Sequence, residues 1–398
     1  MSKVIFTDRS AEPHYNMLDK LEHVFQELGL DEAIQPGTRV QVKTHFGNWG
    51  NTNYIRPAYV RKLVDLVKDA GGIPFVTETC GLGYGAGGRY GGRTTAIEYL
   101  TMAAHHGFTE ASMGAPLMMA DGYWGTDVRT VSIEGGDFVE TVHVASAVLD
   151  SDIVIMLTHA KGHGLGGLGG TLKNLGIGLV GKRSKSKMHF GGDFTINEEK
   201  CLGPECGKCM PVCPVNCISM NDKAVIDNDS CMGCSHCRSI CQSVVKAKAV
   251  QVVWRANEEQ AHVFVENAVG VVNSIGRDKF YYINLAIDIS DKCDCWNVGA
   301  PLLVHDIGIF GSRDPVAIDQ ATLDAINDAV PNPNSAVAGL ECGEPKFMTA
   351  HACKDKSGEI IHLAENQLAH AKKMGLGSRE YELVTITKEK PERGSDWP

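Results

Sequence analysis

Nine of the chain's 14 cysteines fall between residues 191 and 246, and their spacing constrains that stretch more than any hydrophobic pattern does. They run Cys201-x4-Cys206-x2-Cys209-x3-Cys213-Pro214, then Cys231-x2-Cys234-x2-Cys237-x3-Cys241, with Cys217 between the two runs. Helical and strand periodicity is weak throughout the stretch. The start, MSKVIFTDRS, has no cationic region followed by an apolar one, so no secretory signal is expected. A cytoplasmic, reducing compartment is the expectation, and there thiols at such spacing serve metal and not disulfides.

Thiolates at these spacings wrap one iron–sulfur cubane, and the fourth cysteine of each run reaches toward the neighbouring one. Zinc sites favour separated CxxC pairs, which argues against zinc here. The stretch resembles a bacterial two-cluster ferredoxin, and the resemblance implies two [4Fe-4S] clusters. On that pattern one is held by Cys201, Cys206, Cys209 and Cys241, and the other by Cys231, Cys234, Cys237 and Cys213. Three residue-level departures stand out. The first run has four residues where the pattern has two, Gln242 stands where a proline is expected, and Cys217 is extra. Cys217 is either a free thiol or a substitute for Cys201. One-electron chemistry at low potential in an anaerobic protein is what such a segment implies.

On either side of it, short β-rich runs alternate with amphipathic helices. VIFTD (4–8), RVQVKTH (39–45), IPFVTET (73–79), DVRTVSI (127–133), VETVHVA (139–145), DIVIML (152–157), FYYINLAID (280–288) and LLVHDIGI (302–309) read as strands. Helices are expected over 16–28, from Pro57, over 257–275 and over 315–328, the last with Asp314 as its N-cap. This rhythm predicts an α/β fold, a parallel or mixed sheet with flanking helices, interrupted by the cysteine-rich insert. The expected division is 1–190, 191–246 and 247–398. Such sheets hold ligands at the carboxyl ends of their strands, here Lys43–His45, Thr77–Cys80 and Thr158–His163.

The formal charge of −10 argues against a nucleic-acid or anionic-membrane partner. No apolar run approaches the roughly 20 residues that span a bilayer, so no membrane insertion is expected. The basic run Lys182, Arg183, Lys185, Lys187 reads as a solvated loop.

One stretch, THAKGHGLGGLGGTLKNLG from Thr158, threads histidines and lysines through glycines. A phosphate loop needs its lysine directly after the last glycine, and here Thr171 and Leu172 intervene before Lys173. HGLGGLGGTLK, with His189 further on, is similar instead to the core motif of the lactate racemase family. That likeness implies His163 as an acid/base, Lys173 as the anchor of a nickel-pincer nucleotide, and His189 as a nickel ligand. IRP (55–57) resembles that family's arginine–proline segment and implies Arg56 at the cofactor phosphate, although Asn53 and Tyr54 differ from its pattern. The whole chain resembles the ferredoxin-containing members of domain-of-unknown-function family 362, through KTHFGNWGNTNYIRP, the glycine-rich stretch, CDC at 293–295, DIGIFGSRDPVAIDQA and GLGSREYELV.

Read from the residues, His159 and His163 are candidate metal ligands or proton shuttles, and Lys173 a nucleophile or anion clamp. Glycines used only for packing are the competing reading. Cys293 and Cys295 cannot easily form an unstrained disulfide, so cofactor contact and simple burial are both open, with Cys342 and Cys353 as possible partners. His45, Glu78 and Cys80 are candidates for the pocket wall. The preferred expectation is an iron–sulfur oxidoreductase that takes electrons from a soluble protein and delivers them to a small molecule or further cofactor at His163, Lys173, His189, His45 and Arg56. The alternatives are a racemase-like isomerase with a nickel organocofactor and a dedicated electron carrier.

Overall fold

Strand formation follows the apolar runs and closes eight of them into one sheet. The computed structural model describes residues 1–13, 15–82, 92–347, 353–354 and 360–387. The strands are β1 (Ser2–Asp8), β2 (Arg39–Lys43), β3 (Ile73–Glu78), β4 (Leu117–Met119), β5 (Ile153–His159), β6 (Phe280–Ala286), β7 (Gly308–Ser312) and β8 (Tyr381–Thr385). Their order is β8-β1-β7-β6-β5-β2-β3-β4. All run in one direction except β7, which is antiparallel to β1 and β6. β5 and β6 are buried along their whole length, as interior parallel strands covered on both faces must be.

Alternation along the strands feeds two cores. Ile155 and Leu157 face one layer with helices α1 (Met17–Glu27) and α2 (Pro57–Asp69). Val154 and Met156 face the other, packed by α3 (Thr171–Gly178), α4 (Lys182–His189), α5 (Asn257–Ile275) and α6 (Pro315–Asp328). Asn16 caps α1 and Asp314 caps α6 by accepting the free amides of the first turn. The fold is thus α/β, with a mostly parallel sheet between helical layers. Among the described residues no helix is long and apolar enough to cross a membrane.

The two strands expected over 127–133 and 139–145 form at 128–132 and 141–145 and pair as a hairpin outside the main sheet. Two other local expectations are corrected. The strand expected over 302–309 begins only at Gly308, because Leu302 and Val304 make isolated bridges to Ser290 and Pro331 instead. The basic run is no solvated loop. It is α4, and its Lys182 and Lys185 are buried because their ammonium groups find the Thr94 and Cys80 carbonyls and the Thr79 hydroxyl.

The cysteine-rich stretch forms its own small core. Phe190, Phe194, Ile218 and Val250 pack with Cys213, Cys217, Cys237 and Cys241. Strands Thr195–Ile196 and Val250–Gln251 pair antiparallel at its base, and a hairpin of Ile218–Met220 with Ala224–Ile226 lies within it.

Candidate functional site

A cavity of about 670 Å³ opens where β2, β3 and β5 end. The strand ends supply Lys43 and Glu78, the segment after β5 supplies His163, α3 supplies Lys173, and α4 supplies Lys185 and His189. Cys293 and Cys295 line it too.

The glycine-rich stretch leaves β5 at His159, folds into a tight hairpin of Lys161–His163 with Gly167–Gly169, and enters α3. The first amides of α3 are already taken. Thr171 N–H and Leu172 N–H donate to the Asp319 carboxylate at 2.7 and 2.8 Å, and Asn284 Nδ2 donates to it at 2.9 Å. Burial pushes the Asp319 carboxyl up to about 6 against those bonds. This helix end therefore holds an internal carboxylate in place of a ligand phosphate. Gly170 permits the approach, since a β-carbon there would lie 2.3 Å from Asp319 Oδ1. Gly176 permits another, with a would-be β-carbon 1.7 Å from the Phe264 carbonyl oxygen of α5. Packing thus accounts for some of the glycines, while the turn carries His163 and Lys173 into the cavity.

Lys173 Nζ lies 3.6 Å from Cys293 Sγ, and the Cys295 thiol donates to the same sulfur at 2.8 Å. Burial opposes charge on Cys293, yet the Cys295 hydrogen bond and the Lys173 and His163 charges hold its thiol well below the ordinary range. Burial likewise opposes charge on Lys173, and the neighbouring sulfurs reverse it and keep the ammonium protonated. His163 is lowered by burial, with Cys293 pulling the other way. His163, Cys293 and Cys295 bring their ligand atoms within 4.8 Å of one another.

The loop bearing the two sulfurs is clamped from three sides. Asn48 Nδ2 donates to the Cys295 carbonyl at 2.9 Å, and Arg93 Nη2 to the same carbonyl at 3.1 Å. Asn51 Nδ2 donates to the carbonyls of Trp296 and Val298. Asp294, fully buried between the cysteines, accepts from His159 Nδ1 at 3.0 Å and pairs with Lys161 at 3.4 Å.

The facing wall is cationic. Lys43 is fully buried, pairs with Glu78 Oε1 at 2.9 Å and donates to Asn174 Oδ1 at 2.8 Å. Burial brings Lys43 down to about 8 despite Glu78. Arg93 Nη1 lies 3.1 Å from His45 Nε2, and burial together with Arg93 holds His45 well below its ordinary range. His189 Nδ1 meets Gln260 Oε1 at 3.1 Å, and burial lowers its ring to about 4.

His45, His163, Lys173, His189, Cys293 and Cys295 are thus gathered around one cavity. His159 and Arg56 are not. Both ring nitrogens of His159 are engaged, by Asp294 and the Ile287 carbonyl, so it braces the cysteine loop. Arg56 pairs with Asp288 at 2.7 Å on the half-exposed start of α2. Cys80 is buried behind the wall, where burial raises its thiol, and Cys342 is exposed away from the cavity. The Cys353 side chain lies outside the described residues. Arg93 and Lys185 were missed by sequence reasoning, and only their long-range partners give them away.

The nine cysteines of the insert divide into two groups. Cys201, Cys206, Cys209 and Cys241 line one small cavity, and Cys213, Cys217, Cys231, Cys234 and Cys237 line another. Burial raises the Cys237 thiol, with smaller contributions from Cys234 and Cys231 of its own group and from Cys209 of the other, which puts the groups side by side. The second group abuts α4: a β-carbon on Gly233 would touch Ser186 at 2.4 Å, and Cys234 acts electrostatically on Lys182. Phe190 at the end of α4 bridges to Trp254, which lines the main cavity. The succession is first group, second group, α4, cavity.

Residues 40–324 match the family model described as Domain of unknown function (DUF362). The chain belongs to that family. The DUF362 chain also carries a ferredoxin-like segment. Over 44 residues it is 41% identical to a protein named Ferredoxin 7Fe from Hydrogenibacillus schlegelii, 11% of this chain and 56% of that one. Over 49 residues it is 39% identical to a ferredoxin from Methanothermococcus thermolithotrophicus, 12% of this chain and 82% of that one. Among solved structures, the lactate racemase apoprotein from Thermoanaerobacterium thermosaccharolyticum is 8% identical, with a TM-score of 0.37 over 83% of this chain and 58% of its own. A Thermotoga maritima protein is 10% identical, with a TM-score of 0.38 over 69% of this chain and 52% of its own. The DUF362 chain therefore spans a little over half the length of the first ferredoxin and of both solved structures.

Proposed function

We propose that this protein is an iron–sulfur oxidoreductase, in which two [4Fe-4S] clusters relay low-potential electrons from a soluble donor protein to a small anionic molecule or cofactor in the main cavity. The observation that carries the reading is the succession of two thiol groups, α4 and a cationic cavity. The donor set fits the group. A single tetrahedral ion with thiolate bonds of about 2.3 Å needs sulfurs about 3.8 Å apart. Among the described residues, the groups of three ligating side chains within 4.8 Å both lie outside the insert. Cys213 and Cys217 bring their sulfurs within 3.4 Å, but among the described residues no three of the insert's thiols converge as the ligands of one ion would. Iron–sulfur clusters, when bound, supply one-electron transfer.

The chain's own residues have separable roles. The insert's cysteines hold the clusters, and its small apolar core keeps water from them. Lys43, Arg93 and Lys185 give the cavity a positive wall that attracts an anion. Lys173 holds a negative group against the Cys293 edge, and His163 sits where a proton can be given or taken. Less supports the racemase-like alternative, because the arginine it needs at a cofactor phosphate is paired with Asp288.

The test is anaerobic. Full-length protein is reduced with dithionite, freed of it, and mixed with a panel of small anionic acceptors. The reading expects visible bleaching, reoxidation by at least one acceptor, and reoxidation at least tenfold slower in Lys173→Ala and His163→Ala. Failure to bleach removes the oxidoreductase. Equal rates in both variants with every acceptor would make the protein an electron carrier whose cavity is idle. A mass adduct on Lys173 with stoichiometric nickel would favour the isomerase.

A further inference from the structure

We propose that His163, Cys293 and Cys295 form a mononuclear site for a borderline-soft divalent ion of the zinc class, with its open coordination position facing the main cavity. None of its three residues belongs to the insert, but the site shares the cavity of the proposed function, and with the ion bound His163 is a ligand in place of a proton carrier.

Three independent features carry the assignment. The first is the donor set: one imidazole and two sulfurs, converging within 4.8 Å. Thiolate with imidazole selects zinc-like ions over calcium or magnesium, and three protein ligands are the count of a site that keeps a position for a reactant. The second is preorganisation. Asn48, Arg93 and Asn51 fix the backbone carbonyls around the two cysteines, and Asp294 between them is locked by His159 and Lys161. Metal-ligating side chains depend on outer partners of this kind for their orientation. The third is access. All three donors line the same cavity, so the open position meets its contents directly.

The Cys295 thiol donates to Cys293 Sγ at 2.8 Å. An ion taking the place of that proton needs the two sulfurs about 3.8 Å apart. Charge then selects the fourth ligand. A divalent ion on two thiolates is neutral, Lys173 stands 3.6 Å from Cys293 Sγ, and Arg93 and Lys43 line the same cavity. An anionic oxygen or sulfur donor, such as a carboxylate or thiolate of a small molecule, fits that surplus of positive charge.

The experiment uses the anaerobic full-length protein with its iron intact. Zinc alone is added, unbound metal is removed by desalting, and iron and zinc are counted separately while X-ray absorption at the zinc edge reads the first shell. The proposal expects about one zinc per chain with sulfur and nitrogen neighbours. It also expects at least a tenfold loss of retained zinc in Cys293→Ser/Cys295→Ser and in His163→Gln, with iron content unchanged. Wild-type protein that retains no zinc would overturn it, as would variants that retain as much as wild type. So would a Cys293–Cys295 disulfide in the intact mass of protein kept under reductant. Iron is counted in the same samples, so loss of the iron–sulfur reading and loss of this site give different results. If the double variant fails to fold, His163→Gln and the first-shell spectrum of wild type still decide.

Discussion

Replacing Lys173 with methionine keeps the length and apolar stem of the side chain and removes its charge. Lys173 Nζ stands 3.6 Å from Cys293 Sγ inside a buried site. At an effective dielectric of about 20, opposite charges at that distance attract by about 5 kcal/mol. One pH unit of titration is worth about 1.4 kcal/mol, so the thiol should rise by up to about three units. His163 and the Cys295 hydrogen bond remain and trim the shift, so two units is the working expectation, an estimate of about 3 kcal/mol. The readout is iodoacetamide labelling of Cys293, followed peptide by peptide after divalent metal has been removed with a chelator under argon. The midpoint of the rate's rise with pH should lie about two units higher in Lys173→Met than in wild type. An unmoved midpoint would refute the claim that Lys173 charges this sulfur.

Other consequences are simpler to state. Gly176→Ala forces a β-carbon to 1.7 Å from the Phe264 carbonyl, so α3 and α5 must separate. Urea unfolding should show a loss of about 2 kcal/mol or more, beyond the roughly 1 kcal/mol alanine returns in helix propensity; unchanged stability would contradict the close crossing. His189 is held down to about 4 by burial. A depressed histidine contributes stability above its unfolded value near 6.5, and that stability is lost as pH falls toward 4. His189→Gln should therefore flatten the acid side of the stability curve by up to about 1.4 kcal/mol per pH unit, measured by denaturant midpoints between pH 7 and 5. Asp294→Asn weakens the brace on the cysteine loop, and zinc retention should fall by about 10- to 100-fold with iron unchanged.

Much of this was legible in the sequence for physical reasons that can be named. The short apolar run DIVIML reads as an interior strand and FYYINLAID as a strand, and both form strands buried along their length. Pro57 and Asp314-Pro315 marked helix starts because proline at the first turn loses no hydrogen bond. The glycine-rich stretch follows the end of β5, and His163, Lys173 and His189 line one cavity there. What stayed hidden depends on pairings far apart in sequence. Lys185 read as a solvated charge because its partners, Thr79 and Cys80, lie on another strand end. Arg56 looked like a phosphate ligand from its neighbours Ile55 and Pro57, and only the fold shows Asp288 beside it. β7, with two glycines in GIFGS, has too little β-branched character to stand out against the apolar LLV that precedes it. The polar brace around Asp294 left no periodic trace at all.

The central claim is that the insert's two thiol groups hold separate iron–sulfur clusters. The most direct measurement is iron and acid-labile sulfide per chain, with EPR of the dithionite-reduced sample, on anaerobic wild type, Cys206→Ser and Cys234→Ser. The account predicts about eight iron and eight sulfide in wild type and about half of that in each variant, with one of two reduced-cluster signals lost in each. Protein without iron or sulfide, or one in which both variants lose the same signal, would contradict it.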